Sequence, residues 1–479
     1  TNKGKITGLN EASTVNNLIG KQVAFMFTEG NAQRKQEGFD NTGTIEMRAP
    51  QSVIYLMTNN ASSYNYQENS DSYGNNYISG SNPGKHFLYN DGEIKLYGNN
   101  NIGVYTNNAP LINKYTQESY YSGGSWYKSS GISGGLQRSE IRFNTPLTVL
   151  GDQSIGVDIE RELNFANSKI KVDVGTEDPR QAAASSAGVS GLENSGNIAG
   201  GDSAYTDSSA GIYVNMTSNI IYYNKYIVDQ INPANNVNIG GTMMENAQFT
   251  LSDYLLNIGS YSIGGVGLRV EDYGDVILGN SSDSTTNHEI NLLAGSEGNA
   301  GIYVRGSNSS TITYEPNPIW NPGYTETIDV LGFIGSRVTT DGMTMNIDGN
   351  KQVGVQLEEY GYFYHKNGTI NVNGTNNTGI AVKLRGTGEV SDTGTLAVSA
   401  GNLGVYNEST FNMTGGSITA SGTEAVGIYS EINNTDTNLG GGTIKAENGG
   451  IGLYAGANST INLTEGVNLI AGNKGLLFY

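Results

Sequence analysis

Apolar and polar residues alternate along this chain in bursts of four or five positions, and Gly, Ser, Thr and Asn separate the bursts. One unit reads Thr410-Phe411-Asn412-Met413, Gly416-Ser417-Ile418-Thr419-Ala420 and Val426-Gly427-Ile428-Tyr429. Each burst has the period of two of a half-buried strand, and the separators are turn formers. No stretch carries an amphipathic helical period of useful length, which sets aside a strand-plus-helix repeat.

The bursts recur on a clock. Eleven times a glycine is followed by one to three apolar or aromatic residues, from Gly103-Val104-Tyr105 to Gly475-Leu476, and from Gly354 onward the steps are 25, 25, 23, 25 and 23 residues. A fixed period of this size marks a stacked repeat, because no unit can bury its apolar face alone. Three short strands in about 24 residues make one triangular coil of a right-handed parallel β-helix. The fold class expected is therefore all-β, a β-solenoid of about 23–25 residues per coil with long side-loop insertions.

This fold makes specific demands. Ile370, Leu396, Ile418, Ile444 and Ile461 should form one inward ladder, with Asn371, Thr419 and Lys445 facing water. The glycines should mark the bends between strands. Before Gly354 the steps lengthen to 53, 55, 56, 34 and 53 residues; each long step is one coil plus an insertion, or two coils with one degenerate. Gly332-Phe333-Ile334 looks like a missed turn, and Val53-Ile54-Tyr55 and Ala24-Phe25 read as turns lacking the glycine. Such counting gives about 14–18 coils, and roughly 70–85 Å of rod at about 4.8 Å per coil. One continuous solenoid is expected, irregular over 1–340 and regular over 341–479, with insertions near 58–86, 106–138, 176–208, 216–245 and 305–325.

Composition agrees with a solenoid. Of 479 residues 36% are hydrophobic and only 15% charged, while glycine numbers 67, which is not the composition of a disordered chain. The net charge of −19 argues against nucleic acid and against anionic membrane surfaces. There is no cysteine; a solenoid needs no disulfide staples, and their absence suits export of an unfolded chain. With no initiating Met and a last segment that reads as one more repeat, the expectation is an excised piece of a longer protein.

The insertions carry the aromatic residues. Four of them begin just after the Gly-Ile-Tyr strand, so they should leave from one side of the rod and pack beside one another. Long loops on a rigid scaffold are the usual place for binding. Tyr64, Tyr66, Tyr73 and Tyr77 lie in the first, and Tyr115, Tyr120, Tyr121, Trp126 and Tyr127 in the second. Tyr222, Tyr223 and Tyr226 lie in the third, and Tyr314, Trp320 and Tyr324 in the fourth. Tyr and Trp give large rigid contact area with a polar tip, and sugar rings stack on their faces. The bland alternative is that they glue the loops to the rod. Candidate ligand-binding residues are Tyr64, Tyr66, Tyr73, Tyr77, Tyr115, Tyr120, Tyr121, Trp126, Tyr127 and Trp320. A further cluster, Tyr360, Tyr362, Phe363, Tyr364 and His365, falls in the regular part.

The units resemble passenger domains of type Va autotransporters of Gram-negative bacteria, most of all the very large outer-membrane autotransporter adhesins of fusobacteria. The resemblance rests on Gly442-Thr443-Ile444 with Gly452-Leu453-Tyr454, Gly368-Thr369-Ile370 with Gly379-Ile380, and Gly394-Thr395-Leu396 with Gly404-Val405-Tyr406. It is firm over about 340–479 and patchy before that. It implies a monomeric passenger on the bacterial cell surface, a signal peptide and a C-terminal translocating β-barrel outside this chain. It also implies adhesion to a host cell-surface protein receptor, a galactose-type glycan or partner bacteria.

Catalytic and metal motifs are weak. Gly201-Asp202-Ser203-Ala204 is similar to the nucleophile segment of chymotrypsin-like proteases, but the glycine after the serine is replaced and the one upstream histidine is His86. His86, His288 and His365 lie in no Gly-His-Gly of a pectin-cleaving enzyme. Asp152, Asp158 and Glu160 with Arg161 are the densest mixed patch, and solvated edge charge is the plain reading. Asp202 with Asp207, and Asp348-Gly349-Asn350, lack the remaining ligands of a calcium site. No enzyme, no catalytic residue, no metal and no cofactor is expected.

Overall fold

The computed structural model describes residues 1–8, 23–28, 37–58, 67–70, 76–79, 86–107, 119–122, 125–128, 140–160, 168–179, 205–215, 220–222, 244–246, 248–272, 274–283, 286, 288–295, 297–306, 311–314, 326–329, 336–431 and 435–479. Among them the regular elements are strands, with no helix. A narrow sheet of 13 strands runs in chain order from Val23–Thr28 to Leu476–Phe478, and a wide sheet holds 17. Neighbours in both pair in parallel. Each regular coil crosses the narrow sheet once and the wide sheet twice. Leu403–Asn407 leads into Thr410–Ser421, which bends at a register shift after Met413, and Val426–Ser430 returns to the narrow sheet. This is a parallel β-helix.

The core is a set of stacked ladders. On the narrow sheet Val355, Ile380, Val405, Ile428 and Leu453 are successive register partners, all fully or almost fully buried. Each such aliphatic side chain contributes about 1.5–3 kcal/mol through burial. On the wide sheet the ladder is Ile370, Leu396, Ile418, Ile444 and then Leu469. Ile461 is not its fifth member, because it pairs with Thr437 in the preceding strand half.

Three expectations change. The narrow sheet gives 13 coils, not 14–18, and 13 rungs at about 4.8 Å span roughly 60 Å. The reason is that every long step is one coil with an insertion: Ile102–Asn107, Ile155–Ile159, Ala210–Asn215 and Val266–Glu271 pair consecutively. Ala300–Arg305 likewise pairs directly with Val353–Glu358, so no narrow-sheet rung lies between them; 332–334 is outside the described residues. Val53–Thr58 and Val23–Thr28 are rungs without the glycine. Third, the clock glycines from Gly103 to Gly452 sit inside the narrow strands, not at bends, whereas Gly475 lies just before Leu476–Phe478. A Cβ on Gly211, Gly267, Gly301 or Gly379 would stand 2.6–2.8 Å from the next glycine's carbonyl oxygen.

The bend before each narrow strand has its own grammar. Asn100, Gln153, Lys351 and Asn376 take left-handed φ of 58°, 51°, 53° and 55°, a region that Asn tolerates best among side-chain-bearing residues. The residue after each is a buried polar one that accepts the backbone N–H of its counterpart one coil earlier. Ser52 N donates to Asn101 Oδ1 at 2.8 Å, Asn101 N to Ser154 Oγ at 3.0 Å and Ser154 N to Ser209 Oγ at 2.9 Å. Further along, Asn299 N donates to Gln352 Oε1 at 2.8 Å, Gln352 N to Asn377 Oδ1 at 2.7 Å and Asn377 N to Asn402 Oδ1 at 2.8 Å. These bonds satisfy N–H groups that a bend would otherwise bury unpaired.

His365 is part of the core, fully buried between Thr340 and Val390 in the inward ladder. Thr395 N donates to Nε2 at 3.1 Å, so Nδ1 carries the hydrogen toward Thr340 Oγ1 at 3.0 Å. Burial pushes its pKa down to about 4.

Two outcomes are expected. Gly379→Ala puts a methyl 2.6 Å from Gly404 O and 3.0 Å from Val372 Cγ2, and should cost about 2–4 kcal/mol, read as faster hydrogen exchange in Thr378–Val382. For His365, the unfolded chain binds a proton that the folded chain refuses between pH 6.5 and about 4. Stability from this group is thus full above about pH 6.5 and falls as pH drops to 4. The margin of wild type over His365→Gln should shrink by about 3 kcal/mol across that window, measured by local exchange in Gly361–Val372.

Candidate functional site

The insertions leave at a common corner. Those after Val53–Thr58, Ile102–Asn107, Ala210–Asn215 and Ala300–Arg305 all start where a narrow strand ends. The first two return at His86–Asn90 and Glu140–Phe143, which form a three-stranded sheet with Glu37–Asn41, and the last two at the wide-sheet strands Gln248–Leu251 and Ser336–Ile347. Each contains an antiparallel hairpin: Gln67–Ser70 with Asn76–Ser79, Ser119–Ser122 with Ser125–Lys128, Ile220–Tyr222 with Met244–Asn246, and Thr311–Tyr314 with Glu326–Asp329. The 176–208 excursion leaves from a different corner, after Ile170–Val174 and before Ala210–Asn215. In regular coils the common corner closes with as few as two residues, 408 and 409.

Of the candidate residues, Tyr64, Tyr66, Tyr73, Tyr115 and Trp320 lie outside the described residues, as do 201–204 and Arg161. Tyr77 lies on Asn76–Ser79. The backbone of the second hairpin sets Tyr120 opposite Tyr127 and Tyr121 opposite Trp126. In the cluster at 360–365, Phe363 and His365 are core residues, while Tyr362 and Tyr364 point outward and are half-buried. Among the described residues no group of three or more His, Asp or Glu could hold a metal.

A second aromatic feature lies on the rod itself. Next to the loop corner, the outward position of the narrow sheet runs Tyr105, Asp158, Tyr213, Arg269, Tyr303, Gln356, Ala381, Tyr406, Tyr429 and Tyr454 in register. The tyrosine hydroxyls reach glutamates one coil on. Tyr213 donates to Glu271 at 3.1 Å, Tyr303 to Glu358 at 2.9 Å and Tyr406 to Glu431 at 2.8 Å. Tyr105 does the same to Glu160. Burial, with the neighbouring carboxylates, pushes Tyr213 up to about 12 and raises Tyr303 and Tyr406 too. These phenols remain protonated donors at neutral pH, with no phenolate for nucleophilic chemistry.

The ring faces along this column are mostly taken. Tyr406, Tyr429, Tyr454 and Tyr479 stack at centroid distances of 5.6, 4.8 and 4.9 Å, and Lys383 Nζ covers the other face of Tyr406 at 4.6 Å. The Arg269 guanidinium lies 5.8 Å from the Tyr213 ring and 5.4 Å from that of Tyr303. A sugar needs an open ring face, so from Tyr406 to Tyr454 the column offers edges and hydroxyls instead. This column is hidden in the sequence because each member belongs to a different repeat and the intervals are irregular; the recurring Tyr two residues after the clock glycine is its one signal.

Asp158 departs from expectation. It is not solvated edge charge: it is 6% exposed, and its Oδ1 accepts no hydrogen bond. Burial and then Glu160 push its carboxyl up to about 7.

Tyr406→Phe keeps the stack and removes bonds to Glu408 at 2.7 Å and Glu431 at 2.8 Å; it should cost about 1 kcal/mol, read as local exchange in Val426–Ser430, with no change in Ile155–Ile159. Compared with protein-family models, curated proteins and solved structures, the chain finds no match.

Proposed function

We propose that this chain is a segment of a bacterial cell-surface adhesin, a β-helical stalk whose insertions gather at one corner to contact a ligand. The observation that carries the reading is the common exit of the four hairpin-bearing insertions, each directly after a narrow-sheet strand. Equivalent positions in a parallel coil stack, so loops leaving there are neighbours whatever their separation in sequence. Their content of Tyr and Trp suits recognition at low entropic cost. The resemblance to type Va autotransporter passengers supplies the setting: display at the cell surface through an outer-membrane β-barrel, and a host protein receptor, a galactose-type glycan or partner bacteria as ligand. The occupied ring faces of the rod column favour the loops over the rod as the seat of any sugar stacking.

The test replaces 108–139 with the two-residue Glu-Ser closure of the regular coil at 408 and 409. The rod should stay folded, since the excised segment contributes no rung, and binding to target cells should fall at least tenfold. Unchanged binding by a folded rod would make this segment a spacer holding a binding tip elsewhere.

A further inference from the structure

The Tyr213–Arg269–Tyr303 unit shows how the outer column accommodates a guanidinium. Two tyrosines two rungs apart, about 9.6 Å along the rod, hold a planar cation between their faces at 5.8 and 5.4 Å. Arg269 Nη2 also meets Glu271 Oε1 at 2.9 Å, while Tyr213 donates to Oε2 of the same carboxylate at 3.1 Å.

The preceding unit repeats this arrangement with one change. Tyr105 and Tyr213 are again two rungs apart, and Tyr105 again donates to a glutamate, Glu160, two residues beyond the central position. At the centre stands Asp158 in place of an arginine. The register sets it between the two tyrosines, 6% exposed, with Oδ1 accepting no hydrogen bond. A buried carboxylate is costly unless a cation joins it. The raised pKa of Asp158 is the same cost expressed as proton retention.

We propose that the Tyr105–Asp158–Tyr213 slot is a binding site for an arginine side chain of a protein partner. The planar guanidinium matches both the carboxylate and the stacking faces, which an ammonium does not. The net charge of −19 draws a basic partner to the rod. Entry requires the Tyr105 ring to swing from Glu160, to which its tip is bonded. This site stands on the rod face alone and does not rest on the loop reading.

The experiment titrates Nα-acetyl-arginine amide into the chain, read by calorimetry and by NMR of ¹³C-labelled tyrosine. The lysine counterpart is titrated in parallel. Wild type should bind one equivalent of the arginine probe, at least tenfold more tightly than the lysine probe. Asp158→Asn should weaken binding at least tenfold. Tyr105→Phe, which keeps the ring and frees its tip, should bind as well as wild type or better. Arg269→Ala empties the neighbouring slot and should take a second equivalent, which shows that the assay detects such a site. Binding to Arg269→Ala at one equivalent and to wild type at none would overturn the proposal, as would equal affinity for lysine or an unchanged Asp158→Asn. Should Arg269→Ala not fold, wild type against Asp158→Asn decides alone.

Discussion

The structure depends on holding each coil in register over the one before it. Backbone pairing alone does not fix this; the buried aliphatic face does, because a one-residue slip would turn it outward. The bend before the narrow sheet adds a second hold, since there the backbone leaves the ladder and its N–H groups need partners. Asn101, Ser154, Gln352, Asn377 and Asn402 supply them, each fully or almost fully buried and each accepting from the coil before. A slip by one residue would break these bonds together and bury donors at about 1–3 kcal/mol each. Glycine inside the narrow strand completes the constraint from Gly103 to Gly427, because a Cβ there would stand 2.4–2.8 Å from the carbonyl oxygen of the next coil.

Once register is fixed, the exterior inherits it. Residues separated by 55–58 positions become neighbours: Tyr303 and Glu358, Tyr213 and Glu271, Asn346 and Asn291. The last belongs to a run of amides in which Asn371, Asn346, Asn291 and Asn257 each donate to the coil before, ending on Asp173. The same inheritance places insertions of unrelated sequence at one corner and sets the outer column beside them. A rod of this kind turns a one-dimensional list of residues into a patterned surface whose spacing is that of the strands.

How much of this could be read from the sequence follows from what each signal encodes. The alternation at Ile370, Leu396, Ile418 and Ile444 gave the ladder because burial selects apolar residues at a fixed interval. Ile461 misled because Ile461-Asn462-Leu463 and Val467-Asn468-Leu469 alternate alike, and the bend that separates them, with Gly466 at φ 106°, leaves no apolar mark. The clock glycines were assigned to bends because glycine is a turn former; here it answers to close packing, and Asn100, Gln153 or Lys351 takes the left-handed bend. The coil count ran high because an insertion that folds as its own hairpin mimics a degenerate repeat. The solvent reading of Asp158 failed because the neighbours that cover a residue in a solenoid come from coils more than 50 residues away.

The most direct measurement uses the absence of native cysteine. Tyr303 and Gln356 are 53 residues apart and are adjacent rungs here, with Cα atoms about 4.8 Å apart and so within disulfide reach. The double variant Tyr303→Cys, Gln356→Cys should therefore oxidise readily in the folded chain, while Tyr303→Cys with Ala381→Cys, two rungs apart at about 9.6 Å, should not. If the long steps held two coils each, the first pair would stand beyond the roughly 7 Å limit for a bridge. Failure of that pair to cross-link in a folded chain would contradict the register on which the rest stands.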